Sequence, residues 1–205
     1  VRQHKAAPGL IESYADVLSA TMRGAAASDR QGKAVGLDVA IEWAVKTAGQ
    51  VAGRGDKIIF AGNGGSAAIA SHMATDYSKN GGLRAWAMND ASMLTCLSND
   101  YGYEHVFAKQ IEFHGRPGDL LVAISSSGRS ANILGAVAAA RKLGCSVLTM
   151  SGFAPDNPLR ATGDMNLYLD STAYGYVEIG HLALCHAILD YSMAWARGET
   201  VVART

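Results

Sequence analysis

Apolar positions change their period along the chain. Leu10, Ile11, Tyr14, Val17, Leu18 and Met22 recur at helical spacing, and so do Leu37, Val39, Ala40, Ala44, Val45, Ala48 and Val51. Two helices are predicted there, with the small, polar stretch Gly24 to Gly36 as a connector. After Lys57 the pattern becomes short, unbroken apolar runs, each closing on a turn. Residues 57–61 lead into Gly62-Asn63-Gly64-Gly65-Ser66, and 85–88 into Asn89-Asp90. Residues 120–124 lead into Ser125-Ser126-Ser127-Gly128, 146–150 into Ser151-Gly152, and 165–169 form the last run. Helical stretches at about 66–79, 102–113, 130–143 and 176–196 separate most of them.

Strands alternating with helices pair in parallel through right-handed crossovers, which predicts a three-layer α/β/α sandwich. The fully apolar strand at 120–124 suits a sheet covered on both faces. No repeat or long linker splits the 205 residues, so one domain is expected. Its parts are a helical segment at about 8–53, a sheet core at about 56–172 and a last helix at about 176–196. Ligands in such folds bind beyond the carboxyl ends of the strands, where strand order reverses. The two richest polar turns lie at strand ends of that kind.

Composition narrows the function. Lys+Arg and Asp+Glu both total 18, which leaves no charge footprint for nucleic acid or an acidic membrane. No apolar run approaches the roughly 20 residues that span a bilayer. No signal core follows the polar Arg2, His4 and Lys5, so a soluble, cytoplasmic protein is expected. Cys96, Cys145 and Cys185 lack metal or redox spacing and read as small buried apolar residues.

The glycines of Gly62 to Ser66 permit a sharp turn and close approach to a ligand. Ser66 then stands near a helix start, where free N–H groups favour an anion. Ser125, Ser127 and Ser130 open a second helix in the same manner. One such turn alone is explained by capping; two at equivalent strand ends favour a phosphate ligand. With no Walker lysine, a monophosphate ester is expected rather than a nucleoside triphosphate, and no nucleotide cofactor is expected. His72 and Asp76 share a helix face just beyond the first turn, and His181, His186 and Glu178 lie on the last helix. Glu178 and His186 are separated by about 12 Å on a continuous helix, so a shared site needs Glu178 before the helix or from a neighbouring subunit. Such histidines and carboxylates suit zinc or metal-free acid–base work.

With these motifs in place, the chain resembles the SIS-domain family, and within it the phosphoheptose isomerases, from about residue 10 to 196. The resemblance rests on Gly62-Asn63-Gly64-Gly65-Ser66, His72 with an acid at 76, Ser98-Asn99-Asp100-Tyr101-Gly102-Tyr103, Ile124 through Asn132, and the last helix with His186. It implies a flavodoxin-like five-stranded parallel sheet and a homotetramer with active sites between subunits. It also implies isomerisation of sedoheptulose 7-phosphate to D-glycero-D-manno-heptose 7-phosphate through an enediol, in heptose biosynthesis. Substrate contacts are implied at Asn63, Gly64, Gly65, Ser66, Asn99, Asp100, Ser125, Ser126, Ser127, Ser130 and Glu178. Asp76 is implied as the base and His186 as its acid/base partner. Zinc, one per subunit, is implied on His72, Asp76, Glu178 and His186.

Three positions depart from the family pattern. Asp76 stands for the usual glutamate, Glu178 for glutamine, and Gly175 for an aspartate. A shortened carboxylate beside a gained one reads as compensation around a metal. Two other readings stay open: a non-catalytic SIS-domain sensor or scaffold, and an isomerase of another phosphosugar.

Overall fold

The computed structural model describes residues 9–200, so the polar stretch with Arg2, His4 and Lys5 lies outside the described residues. In chain order the elements are α1 (Leu10–Arg23), β1 (Ala26–Asp29), β2 (Ala34–Val35), α2 (Leu37–Arg54), β3 (Ile58–Ala61), α3 (Gly65–Lys79) and β4 (Ala85–Ala87). There follow α4 (Ala91–Tyr101), α5 (Val106–His114), β5 (Leu120–Ser125), α6 (Ala131–Leu143), β6 (Ser146–Ser151), β7 (Met165–Tyr168) and α7 (Tyr174–Ala196).

One sheet runs in the order β2-β1-β7-β6-β5-β3-β4. The five strands predicted from the apolar runs are its parallel part, β7-β6-β5-β3-β4. Two more strands extend it to seven. The stretch expected to be a connector is a hairpin, with β1 antiparallel to both β7 and β2. Local chemistry closes that hairpin: Asp29 Oδ1 accepts the amides of Gln31 and Lys33, each at 2.9 Å, and Gly32 takes a φ of +76°.

Side-chain alternation on β3 sets the layers. Ile58 and Phe60 pack with α2, α3 and α7, and Ile59 and Ala61 with α5 and α6. All six residues of β5 are buried, as its continuous apolar run requires. Truncating a fully buried side chain such as Phe60 to alanine is expected to cost about 3–5 kcal/mol. α7 carries eight buried residues and packs close, since a Cβ on Gly180 would meet Leu169. By contrast α1 buries none of its residues, and Leu10, Ile11 and Val17 stay exposed.

Cys145 and Cys185 are buried as expected, and burial pushes their thiols up to about 11 and about 12. Cys96 departs from that expectation. It lies on the solvent face of α4, a helix that the apolar pattern did not mark. Among the described residues no helix is long and apolar enough to cross a membrane.

After β3 the chain adds β4 on one side, then returns to place β5 on the other. Strand order therefore reverses between β3 and β5, and the two Gly/Ser turns leave the sheet on either side of that point.

Candidate active site

Both turns are built around glycine. A Cβ on Gly62 would overlap the backbone of Ser66, and Gly64 takes a φ of +54°. α3 then begins with no side-chain cap; the Ala67 and Ala68 amides bond back to the turn, and among the described residues the Gly65 and Ser66 amides have no acceptor. After β5 the amide of Gly128 donates to the Ser125 carbonyl at 3.0 Å, and Gly128 has a φ of +62°. Ser130 occupies the N-cap of α6, yet its hydroxyl lies 3.2 Å from Ser125 Oγ instead of on a helix amide. Neither Ser66 nor Ser130 caps its helix, while Ser127 Oγ accepts the Arg129 amide at 3.3 Å within the turn.

The turns meet in one cavity of about 260 Å³. It is lined by every predicted residue of the turns: Asn63, Gly64, Gly65, Ser66, Ser125, Ser126, Ser127 and Ser130. Ile124, with Tyr174 and Glu178 from the start of α7, completes it. Gly65 leaves room for the Glu178 carboxylate, which a Cβ would overlap. Phe153 holds a φ of +58°, with its ring 4.9 Å from that of the lining residue Tyr174.

The two turns are also tied to each other. Asn63 Nδ2 donates to Asn132 Oδ1 at 2.9 Å, Asn132 Nδ2 donates back to Asn63 Oδ1 at 3.0 Å, and the Tyr103 hydroxyl donates to the same Asn63 oxygen at 2.9 Å. Asn132 and Tyr103 lie inside two of the motifs that carry the resemblance, Ile124 through Asn132 and Ser98 through Tyr103. Their sequence separations from Asn63, 69 and 40 residues, make the contacts invisible without the fold.

A second group lies farther along α3. His72 Nε2 stands 3.3 Å from Asp76 Oδ2, and the His72 and His186 rings are 5.4 Å apart. One donor atom from each of these three residues falls within 4.8 Å of the others. Two imidazoles and a carboxylate are a donor set that suits zinc with an open position. Helices α3 and α7 run side by side in the same direction, shown by Gly65 against Glu178, Tyr77 bonded to the Cys185 carbonyl, and Gly81 against Leu189. That register puts His186 beside His72 and leaves Glu178 with the serine turns, so three of the four expected metal ligands come together.

The remaining candidates separate. His181 is fully buried with Nε2 3.1 Å from the Ser151 carbonyl, and burial lowers its pKa to about 4. It is a neutral core residue. Asn99 and Asp100 are exposed on α4, bonded to each other at 2.9 Å. Asn99 lines a shallow depression beside Tyr103 rather than the serine cavity.

Known proteins share the sequence and fold of this chain. The SIS domain family profile matches residues 35–152. Phosphoheptose isomerase of Rhodospirillum rubrum is 40% identical over 140 residues, which span 65% of this chain and 74% of that one. The enzyme of that name from Streptomyces coelicolor is 40% identical over 156 residues, 73% of this chain and 67% of its own. The solved phosphoheptose isomerase of Neisseria gonorrhoeae superposes with a TM-score of 0.78 at 31% identity, covering 90% of this chain and 97% of that one.

Proposed function

This chain belongs to the SIS-domain family of phosphoheptose isomerases, and from that premise we propose that it interconverts sedoheptulose 7-phosphate and D-glycero-D-manno-heptose 7-phosphate through an enediol. The observation that carries the reading is the serine cavity at the topological switch point, whose hydroxyls are not consumed by helix capping. Ser66, Ser125, Ser127 and Ser130, with the first amides of α3 and α6, hold the phosphate. Asp76 removes the proton at C1 of the ketose, and His186 moves protons between O1 and O2. Glu178 projects into the cavity above Gly65 and faces the sugar hydroxyls next to the phosphate.

These roles are assigned to two copies of the chain. Ser66 and Asp76 are ten residues apart on one helix, about 15 Å along its axis and longer than an open-chain heptose. In the proposed arrangement a sugar phosphate held in one copy's serine cavity meets Asp76 and His186 of the partner subunit. His72 is about half exposed, so a partner has access to that group. The uncovered apolar stripe of α1, with Leu10, Ile11 and Val17, suits the homotetramer expected of the family.

His72, Asp76 and His186 are the residues that would hold zinc. A zinc ion there supplies Lewis-acid polarisation of the carbonyl being enolised. The expected setting is the cytoplasm and the expected pathway heptose biosynthesis. Incubation with sedoheptulose 7-phosphate, followed by NMR, is the test. Appearance of the aldoheptose phosphate supports the reading, whereas binding without conversion favours a SIS-domain sensor.

A further inference from the structure

At the opposite end of the sheet from the serine turns lies a larger cavity, of about 420 Å³. This falls within the roughly 300–1,000 Å³ usual for small-molecule sites. It opens below the amino ends of β3, β4 and β5, so no substrate can occupy both places.

Its floor is fixed by Asp119, which is completely buried. Asp119 accepts the Lys57 amide at 2.9 Å, the Lys57 ammonium at 2.6 Å and the Arg116 amide at 2.8 Å, so both carboxylate oxygens are committed. The other acid in the lining, Asp56, is paired with Arg54 at 2.7 Å. The two negative charges are thus already answered within the protein, and the cations left over are arginines. Arg84 uses one N–H on the Gly55 carbonyl at 2.5 Å. Among the described residues the Arg116 guanidinium has no hydrogen bond or ion pair. The same lining carries an aromatic pair: Trp86 is half-buried, and the His114 ring meets it edge-on at 5.4 Å and 82°.

Two planar cations and an indole in one cavity recognise an anion carried on a flat ring. A guanidinium fork matches phosphate oxygens in pairs, and an indole offers a stacking surface to any base. We propose that this cavity is a nucleoside monophosphate site, with the base against Trp86 and His114 and the phosphate on Arg84 and Arg116. Neither residue set overlaps the isomerase machinery, so the site stands or falls independently of the proposed reaction.

The test is a fluorescence titration of Trp43→Phe/Trp195→Phe protein, in which Trp86 is the sole indole, with AMP as the probe. Saturable quenching is expected, with ribose 5-phosphate at least about tenfold weaker because it lacks the base. Arg84→Ala/Arg116→Ala should weaken AMP by about tenfold or more, while Ser125→Ala/Ser127→Ala leaves it unchanged. Equilibrium dialysis of AMP against the wild-type and Arg116→Ala proteins gives the same readout if the tryptophan variant fails to fold. No saturable binding at millimolar AMP, equal affinity for ribose 5-phosphate, or loss of binding in the serine variant instead of the arginine one would each overturn the site.

Discussion

Asn63 and Asn132 exchange two amide hydrogen bonds, at 2.9 and 3.0 Å, across the point where strand order reverses. The pair joins the glycine turn after β3 to the serine turn before α6, and Tyr103 fixes which way the Asn63 amide points. The two halves of the serine cavity are thereby tied to each other.

Replacing Asn132 with alanine should therefore loosen the cavity without touching the proton-transfer group. Asn132 is 3% exposed, so the change leaves the Asn63 amide without its buried partner and is expected to cost about 1–3 kcal/mol in folding stability. Steady-state kinetics should show KM for the phosphosugar rising more than kcat falls. A variant that loses kcat alone would show that the pair does not position the phosphate.

Asp76→Asn and His186→Ala should each abolish turnover while leaving phosphosugar affinity close to that of the parent. Isothermal titration with the substrate measures the second quantity. Normal kcat in both variants would remove these residues from the proton-transfer path.

Zinc should copurify at about one ion per chain, in a site of two imidazoles and a carboxylate. His72→Ala should lower the metal content measured by elemental analysis, whatever happens to the rate. Glu178→Gln should leave that content largely intact, because Glu178 lies with the serine turns. A metal content that follows Glu178 as closely as His72 would show that Glu178 joins the ligand set in the assembled protein.

His181 makes stability depend on pH. Burial holds its pKa at about 4 in the folded chain, against 6.5 when unfolded. The unfolded chain then binds more protons between those values. The contribution is complete above about pH 6.5 and is lost as pH falls through about 4, for a total of roughly 3 kcal/mol. Urea melts at pH 7 and pH 5 should differ by about 2 kcal/mol from this group. His181→Gln should flatten that difference, and an unchanged pH slope in the variant would assign the effect elsewhere.

The parallel sheet was legible in the sequence because each of its five strands is a short apolar run ending in a Gly, Ser or Asn turn. The β1–β2 hairpin was not. Ala26-Ala27-Ser28-Asp29 has no β-branched residue, and its geometry comes from the Asp29 side chain bonding its own turn. α4 was missed for a similar reason, since its start is set by Asp90 Oδ1 accepting the Met93 amide at 2.8 Å. The serine cavity was legible because both halves sit at strand ends. The grouping of His72 and Asp76 with His186, and the exclusion of Glu178 from that group, follow from the register between α3 and α7. That register is set by packing such as Gly81 against Leu189, which spacing along the chain does not encode.

In the proposed isomerase site one copy supplies the serine cavity and a second copy supplies Asp76 and His186. Co-expressing Ser125→Ala/Ser127→Ala chains with Asp76→Asn/His186→Ala chains under different tags, and purifying the mixed oligomer, tests it directly. Each variant alone should fail to convert sedoheptulose 7-phosphate. The mixed oligomer should regain turnover, because some interfaces then pair an intact cavity with an intact proton-transfer group. A mixed oligomer as inactive as its parents would contradict the account.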